Sequence, residues 1–179
     1  MEATDEGEIV MTYRFCPMCA HPLAWRTVPD DSHPRLSCAA CGFVFYFNSR
    51  PCAGALAVRE GKVLLSRRAV EPARGTWDIP GGFLENGEHP RDGAIRELQE
   101  ETGLTIVPTE LLGIYLDRYG DMPESTLNVY YLAAVQDGTP QPASDAAELG
   151  WFGPDELPSE LAFPHERQVL EDWKRRAGA

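Results

Sequence analysis

One 23-residue stretch, from Gly82 to Leu104, constrains this chain more than any other part of its sequence. It places glycines, carboxylates and one arginine at fixed intervals. In order, the defined positions are Gly82, Glu88, Arg96, Glu97, Leu98, Glu100, Glu101, Gly103 and Leu104. Pro90 suits the first turn of a helix and Gly103 suits its end. We therefore predict a helix over residues 90–102.

The acidic residues of this helix fall on one side of it. At about 100° per residue, Glu97, Glu100 and Glu101 lie within an arc of roughly 100°, beside the apolar side chains. Unpaired carboxylates at such spacing repel each other by a few tenths of a kcal/mol per pair. A divalent cation reverses that sign, and oxygen ligands suit Mg²⁺ or Mn²⁺. On composition alone, a solvated acidic helix face accounts for the same charges equally well.

The full spacing resembles the signature of the Nudix hydrolases at every defined position. The preceding "GTWDIPGG" is similar to the usual approach to that signature. The resemblance extends from about Cys52 to the C-terminus. It implies an α/β fold, a Nudix-type α/β/α sandwich with a mixed sheet. It also implies an enzyme that uses Mg²⁺ or Mn²⁺ to cleave the phosphoanhydride bond of a nucleoside diphosphate linked to another moiety.

The resemblance also assigns roles to individual residues. The carboxylates of Glu97 and Glu101 correspond to the principal metal ligands, Glu100 to a further ligand and the Gly81 carbonyl to a backbone ligand. Arg96 corresponds to the arginine that ties the helix to its loop through a carboxylate. Two further assignments are that Glu88 is this carboxylate and that Glu97 is the general base, with Glu148, outside the signature, as the alternative base.

Substrate contacts are predicted less sharply. Arg67 and Arg68, at the end of a predicted hairpin, are candidates for binding phosphates, although arginines at a strand end are often simply solvated. Trp77 is a candidate for stacking on adenine. Other aromatic candidates are Tyr115, Tyr119 and Phe163. A position in the core explains each aromatic residue as well, and His165 is explained by its place at a helix terminus.

Four of the five cysteines form two C-x-x-C pairs, eighteen residues apart. They are Cys16, Cys19, Cys38 and Cys41. This spacing is typical of a tetrahedral structural Zn²⁺ site, in which four thiolates leave no open position for catalysis. The alternative is four buried cysteines without metal. We predict a flexible N-terminus over residues 1–12, a zinc ribbon over 13–49 and a Nudix domain over 50–179.

Short apolar runs after residue 49 predict strands at residues 53–58, 62–68, 111–117, 126–135 and 148–153. Residues 164–176 predict a last amphipathic helix, which begins at a proline. Pro140 and Pro142 mark the segment before the last strand as a loop. Strands mixed with two helices in this order predict a mixed sheet between helices.

The formal net charge is −12, which disfavours broad binding to nucleic acid or to an anionic membrane. No apolar run approaches the roughly 20 residues of a membrane span, and the acidic start lacks the features of a secretion signal. We therefore expect a cytoplasmic protein. Its expected partner is a small-molecule nucleoside diphosphate derivative, and the sequence does not decide between a monomer and a homodimer.

A zinc ribbon before a Nudix domain is similar to the NADH pyrophosphatase group and to zinc-ribbon enzymes acting on FAD or ADP-ribose. The NADH group carries an SQPWPFP array, where this chain has "RYGDMPESTLN". ADP-ribose, FAD and NADH share an adenosine diphosphate, so the expected substrate is an ADP-containing compound such as one of these three. The alternatives are removal of nucleotide caps from RNA ends and a non-catalytic nucleotide-binding module.

Overall fold

The structure is a computed structural model that describes residues 13–143 and 145–177. The predicted flexible segment 1–12 lies outside the described residues. The chain divides between Asn48 and Ser49 into two compact units.

The smaller unit is a three-stranded antiparallel sheet with two cysteine-bearing turns. Its strands are β1 (Leu23–Arg26), β2 (Arg35–Cys38) and β3 (Val44–Phe45), in the order β1-β2-β3. Gly42 has a φ of 77°, so it takes the left-handed conformation expected of a turn residue after the second cysteine pair. The aromatic side chains of "FVFYF" are at most half-buried, so apolar burial alone gives this unit little stability.

The larger unit is built on a mixed sheet. Its main strands are β4 (Arg50–Arg59), β5 (Lys62–Arg68), β8 (Thr105–Arg118), β9 (Ser125–Asp137) and β10 (Ala146–Phe152). They are ordered β10-β5-β4-β9-β8, with β4 parallel to β9 and the other neighbours antiparallel. Two short strands, β6 (Trp77–Asp78) and β7 (Gly81–Phe83), pair with β5 and β4. The predicted mixed sheet is confirmed.

Two helices cover the sheet: α1 (Pro90–Thr102) and α2 (Pro164–Ala177). The His89 side chain accepts a hydrogen bond from the Arg91 N–H at the start of α1, and Gly103 ends the helix with a φ of 73°. The predicted helix over 90–102 is therefore confirmed. A carboxylate caps α2: Glu166 accepts from the Phe163 N–H at 3.1 Å and from the Ile79 N–H at 2.6 Å.

Successive side chains of β4 and β5 point alternately towards α1 and towards α2. Ala53, Ala55 and Leu64 pack with α1, whereas Leu56 and Leu65 pack with α2. The two hydrophobic clusters therefore lie on opposite faces of one sheet, and the predicted α/β/α sandwich is confirmed. No helix of the described residues is long and apolar enough to cross a membrane.

Two features departed from the sequence prediction. The strand predicted at 111–117 begins at Thr105, because Pro108 lies on the edge strand of the sheet, where the register shifts and a missing N–H is tolerated. No strand is predicted in the "GTWDIPGG" segment, yet it contains β6 and most of β7, which are too short to leave a periodic signal in the sequence.

Candidate active site

A bidentate ion pair joins helix α1 to the loop before it. Arg96 Nε donates to Glu88 Oε1 at 2.8 Å and its Nη2 donates to Oε2 at 2.9 Å, and to the Phe83 carbonyl at 3.2 Å. These donors lower the pKa of Glu88 to about 2. The structure thus places Arg96 and Glu88 in the contact that the resemblance implies.

The third guanidinium nitrogen of Arg96 reaches two glutamates of the helix. Its Nη1 donates to Glu97 Oε1 at 2.7 Å and to Glu100 Oε2 at 3.3 Å. The Glu100 side chain is 55% exposed and is not one of the described residues that line the cavity next to the helix. The structure therefore brings Glu97 into the site and leaves Glu100 at its rim.

Glu97 and Glu101 present carboxylates in a poorly solvated place. Burial raises the pKa of Glu97, with the Arg96 guanidinium acting in the opposite direction. Burial, reinforced by Asp145 and Asp78, raises the pKa of Glu101 to about 9. The Gly81 N–H and the Ser66 hydroxyl donate to Glu101 at 3.4 and 3.5 Å, which is at the long end for hydrogen bonds.

Glycines allow the short strand β7 to approach both the sheet and helix α1. A Cβ added to Gly82 would lie 2.6 Å from the Glu97 carboxyl carbon, and a Cβ on Gly81 would lie 2.7 Å from the Ala53 carbonyl oxygen. The first contact is with the end of a side chain, and the second is with backbone. Gly82 is thus required for the position of the Glu97 carboxylate rather than for the turn.

We expect Gly82→Ala to lower kcat by about 10²-fold while leaving the fold intact, because the new methyl group displaces the Glu97 carboxylate. Steady-state kinetics and thermal unfolding of both proteins measure this. Gly87→Asn is the matched control: Gly87 has open space around it and a φ of 82°, which asparagine tolerates. Equal kcat values for wild type and Gly82→Ala would contradict the role given to Gly82.

A cavity of about 320 Å³ opens beside these glutamates. Its acidic wall carries Glu97 and Glu101 together with Asp78 and Asp145. The opposite wall is formed by β9, the end of β8 and the start of α2. Asp145, in the loop before β10, has no motif or periodic pattern that identifies it in the sequence.

The predicted base outside the signature is not at this cavity. Glu148 is an exposed residue on β10, and its carboxylate pairs with Arg67 Nη1 at 3.3 Å. The structure therefore leaves Glu148 outside the cavity, paired with Arg67 across the ladder of β5 and β10. The carboxylate that reaches the cavity from this segment is Asp145.

The two predicted phosphate-binding arginines point to opposite faces of β5. Arg68 lines the cavity, yet its guanidinium is engaged by Asp78 at 2.5 Å, the Pro72 carbonyl at 2.7 Å and the Tyr119 hydroxyl at 3.0 Å. Arg67 contacts Glu148 and the Gly75 carbonyl and is outside the cavity. Both arginines therefore have structural partners in place of a phosphate.

Arg118 is the exposed cavity-lining arginine that the sequence prediction missed. Among the described residues, no hydrogen bond or ion pair of its guanidinium is found, and its backbone N–H donates to the Asp117 carboxylate. Its position at the end of β8 could be found only from the register of the sheet. A free guanidinium at the mouth of an acidic cavity can bind a phosphate group.

The aromatic candidates divide between core and cavity. Trp77 packs edge-on against Phe152, with ring centroids 4.8 Å apart; it is partly buried against the core cluster and is not among the described residues that line the cavity. Tyr115 is likewise part of the core cluster. Tyr119 and Phe163 line the cavity and stack on each other at 5.4 Å.

The four predicted zinc ligands meet in the smaller unit. The Sγ atoms of Cys16, Cys19, Cys38 and Cys41 lie within 4.8 Å of one another, and they are the one such ligand group found in residues 13–143 and 145–177. Three of the six sulfur pairs, Cys16–Cys41, Cys19–Cys38 and Cys19–Cys41, are 3.4 to 3.6 Å apart. The backbone N–H groups of Cys41 and Ala40 lower the pKa of Cys38, whereas hydrogen bonds between the thiols raise the pKa of Cys19 and Cys41. This donor set fits Zn²⁺.

The acidic wall of the cavity fits a hard divalent cation by its chemistry. Glu101 is buried and Glu97 is partly buried, burial raises the pKa of both carboxyl groups, and Asp145 raises both further. Clustered carboxylates of this kind bind Mg²⁺ or Mn²⁺ together with water and substrate phosphates. Among the described residues, the carboxylates do not bring three oxygen atoms within 4.8 Å of one another, as the cysteines do with their Sγ atoms.

Comparison with known protein families matches both units. The NUDIX domain model matches residues 48–173, and the Nudix N-terminal zinc-ribbon model matches residues 14–47. The chain therefore belongs to the Nudix hydrolase family.

Two relatives with known names differ in the share of the chain they match. An ADP-ribose pyrophosphatase of Methanocaldococcus jannaschii is 34% identical over 117 residues, which are 65% of this chain and 68% of the relative. The NAD-capped RNA hydrolase NudC of Vibrio parahaemolyticus is 26% identical over 88% of this chain. The match spans only 57% of the length of that NudC.

Solved structures share the fold. A NUDIX hydrolase from Nitrosomonas europaea is similar with a TM-score of 0.78 and 32% identity, covering 93% of this chain and 91% of the other. A UDP-X diphosphatase is similar with a TM-score of 0.62 and 26% identity, covering 75% and 66%. The mixed sheet and its two helices are thus shared with other Nudix proteins.

Proposed function

We propose that this chain is a Mg²⁺- or Mn²⁺-dependent hydrolase that cleaves the phosphoanhydride bond of an ADP-containing compound, with ADP-ribose as the first candidate. The observation that carries the proposal is a pair of carboxylates facing a cavity with Asp145: Glu101, which is buried, and Glu97, which is partly buried. Without a cation this arrangement is unfavourable, because buried like charges raise each other's pKa. A bound divalent cation would remove this cost, and the same cation could bind a diphosphate.

The residues divide the work. Glu97 and Glu101 hold the cation, with the Gly81 carbonyl and Glu100 as the further ligands implied by the family. When bound, the cation neutralises the diphosphate and lowers the pKa of the attacking water. Arg96 holds Glu97 in place, and Arg118 binds a phosphate at the cavity mouth.

The general base is one of two carboxylates. Glu97 lines the cavity, and burial raises its pKa, but Arg96 already holds one of its oxygens. Asp145 reaches the same cavity from a different segment. Glu97 remains the first choice, and Asp145→Asn tests it: a large loss of kcat at saturating metal would make Asp145 the base, whereas a loss of metal affinity alone leaves that role with Glu97.

ADP-ribose is favoured by the name of a similar enzyme and by the size of the cavity. The cavity is at the lower end of the range for small-molecule sites, so part of a dinucleotide such as FAD or NADH would project from it. We also propose that the four cysteines hold a structural Zn²⁺. This zinc would stabilise residues 13–48 and take no part in hydrolysis.

RNA cap removal is the second candidate, because similar proteins include NAD-capped RNA hydrolases. The chemistry is the same, with a larger leaving group. The net charge of −12 argues against it, since RNA binding needs a basic surface.

A substrate panel with Mg²⁺ and Mn²⁺, read by mass spectrometry, tests the proposal. The panel comprises ADP-ribose, FAD, NADH, an NAD-capped RNA oligonucleotide and the nucleoside triphosphates. An ADP-containing small molecule is expected to have the highest kcat/KM. Preference for the capped RNA would establish the second candidate, and preference for triphosphates would overturn both.

A further inference from the structure

A buried hydrogen-bond chain ends in the wall of the cavity opposite the glutamates. Asp117 Oδ2 lies 2.7 Å from His165 Nδ1, and His165 Nε2 lies 3.0 Å from the Tyr130 hydroxyl. His165 and Tyr130 are each 6% exposed, and both line the cavity. The proposed metal site makes no use of this chain.

The direction of each hydrogen bond follows from the groups involved. Although partial burial opposes it, the pKa of Asp117 is lowered by hydrogen bonds from the His165 backbone N–H, the Arg118 N–H and the His165 ring. An ionised carboxylate only accepts, so His165 Nδ1 carries the hydrogen. Burial lowers the pKa of His165, which is therefore neutral at pH 7 and accepts at Nε2.

It follows that the Tyr130 hydroxyl donates its hydrogen to His165. Its oxygen then keeps a lone pair for a group in the cavity. The ring packs directly against Gly54, where a Cβ would lie only 2.6 Å from Tyr130 Cε1. Tyr130 thus offers a hydrogen-bond acceptor in a fixed position.

Asn128 offers a second acceptor on the same wall. Two residues before Tyr130 on β9, it faces the same side of the sheet and lines the same cavity. Its Nδ2 donates to the Tyr115 carbonyl at 3.3 Å, the Thr126 carbonyl at 3.5 Å and the Thr126 hydroxyl at 3.0 Å. With the amide nitrogen so engaged, the orientation of Asn128 is fixed, and Oδ1 is the atom left to accept from a ligand.

We propose that Tyr130 and Asn128 determine specificity by accepting hydrogen bonds from a donor group of the substrate. This inference rests on the proposed function and makes it more specific. Two parts of an ADP-containing molecule carry such donors, the exocyclic amine of adenine and the hydroxyls of its ribose. A buried acceptor that is left unpaired disfavours an analogue lacking the donor. Asp117 and His165 act through Tyr130 and are positioning residues.

The test compares kcat/KM for ADP-ribose, its hypoxanthine analogue IDP-ribose and 2′-deoxy-ADP-ribose. IDP-ribose replaces the amine by an acceptor, and the deoxy compound removes one ribose hydroxyl. The wild-type protein is expected to disfavour one of the two analogues by about tenfold or more, the effect of one lost hydrogen bond of about 1.4 kcal/mol. Which analogue is disfavoured identifies the donor.

Tyr130→Phe removes the acceptor with little change of shape. In this variant the ratio of kcat/KM for ADP-ribose to kcat/KM for the disfavoured analogue is expected to fall to within about threefold of 1. The fall should come from a higher KM for ADP-ribose, with kcat within about twofold of wild type. Tyr131→Phe is the matched control, because Tyr131 packs with the hydrophobic cluster on the other face of the sheet. Asp117→Asn, outside the cavity, is expected to reduce the preference by favouring the other His165 tautomer.

Two results would overturn the inference: a wild-type protein that distinguishes neither analogue, or a preference that persists in both Tyr130→Phe and Asp117→Asn. Calorimetric binding of AMP, IMP and 2′-deoxy-AMP measures the same preference without turnover. If the chain hydrolyses none of the three substrates, the proposed function fails, and the binding data still decide the role of Tyr130.

Discussion

Glutamine at Glu97 or at Glu101 is expected to lower kcat by about 10³-fold or more at saturating Mg²⁺, since each change removes a charged oxygen ligand from the proposed metal site. Steady-state kinetics with ADP-ribose over a range of Mg²⁺ and Mn²⁺ concentrations measures the loss. Glu171→Gln, on the exposed face of α2, is the matched control and is expected to retain wild-type kcat.

The same variants separate a lost metal site from a lost fold. In the metal-free protein, Glu101 has a pKa of about 9 in place of its ordinary 4.5. A carboxyl group with a raised folded-state pKa destabilises the fold as the pH rises from about 4.5 towards 9. Glu101→Gln is therefore expected to unfold at a temperature equal to or above that of metal-free wild type at pH 8. It should also lose the Mg²⁺-induced rise in Tm.

The roles of Glu97 and Glu101 would be contradicted by either of two results. One is a kcat within about tenfold of wild type in both variants. The other is a Tm that still rises with Mg²⁺ in both variants as it does in wild type.

Replacing Cys38 by serine is expected to abolish zinc binding and to unfold residues 13–48. Four thiolates supply the ligand set, and structural zinc contributes on the order of 10 kcal/mol to the folding of such small units. Metal analysis should give one zinc per wild-type chain and none per variant chain. Hydrogen exchange should show lost protection in β1 to β3 and retained protection in β4 to β10.

Cys52→Ser is the control for zinc content, because Cys52 is not one of the four clustered cysteines. It is expected to keep one zinc per chain. Full zinc content in Cys38→Ser, or unchanged protection of β1 to β3 without zinc, would contradict a metal-stabilised ribbon.

The sequence predicts helix α1 well because several local signals agree there. Pro90, the apolar side chains of Ala94 and Leu98, and Gly103 all indicate the same element. The edge strand β8 is predicted less well: Pro108 argues against a strand, and its place at the edge of the sheet depends on pairings with β9 that local sequence does not contain. The short strands β6 and β7 of the larger unit have no local sequence signal and are defined by their pairing with β5 and β4.

The same distinction holds at the site. Glu97, Glu101 and Arg96 belong to one helix and its loop, so fixed spacing in the sequence brings them together. Asp145 and Arg118 come from separate segments whose positions depend on sheet register, and neither was predicted. Glu148 and Arg67 face each other across β10 and β5 and lie outside the cavity, and this pairing also depends on the register of the sheet.

Incubation of ADP-ribose with the purified protein in H₂¹⁸O, with and without Mg²⁺, tests the central claim most directly. The expected products are AMP and ribose 5-phosphate, formed only with the cation. One ¹⁸O atom should enter a single product, as in attack of water on one phosphorus. No turnover with Mg²⁺ or Mn²⁺, or equal turnover without any divalent cation, would contradict the account.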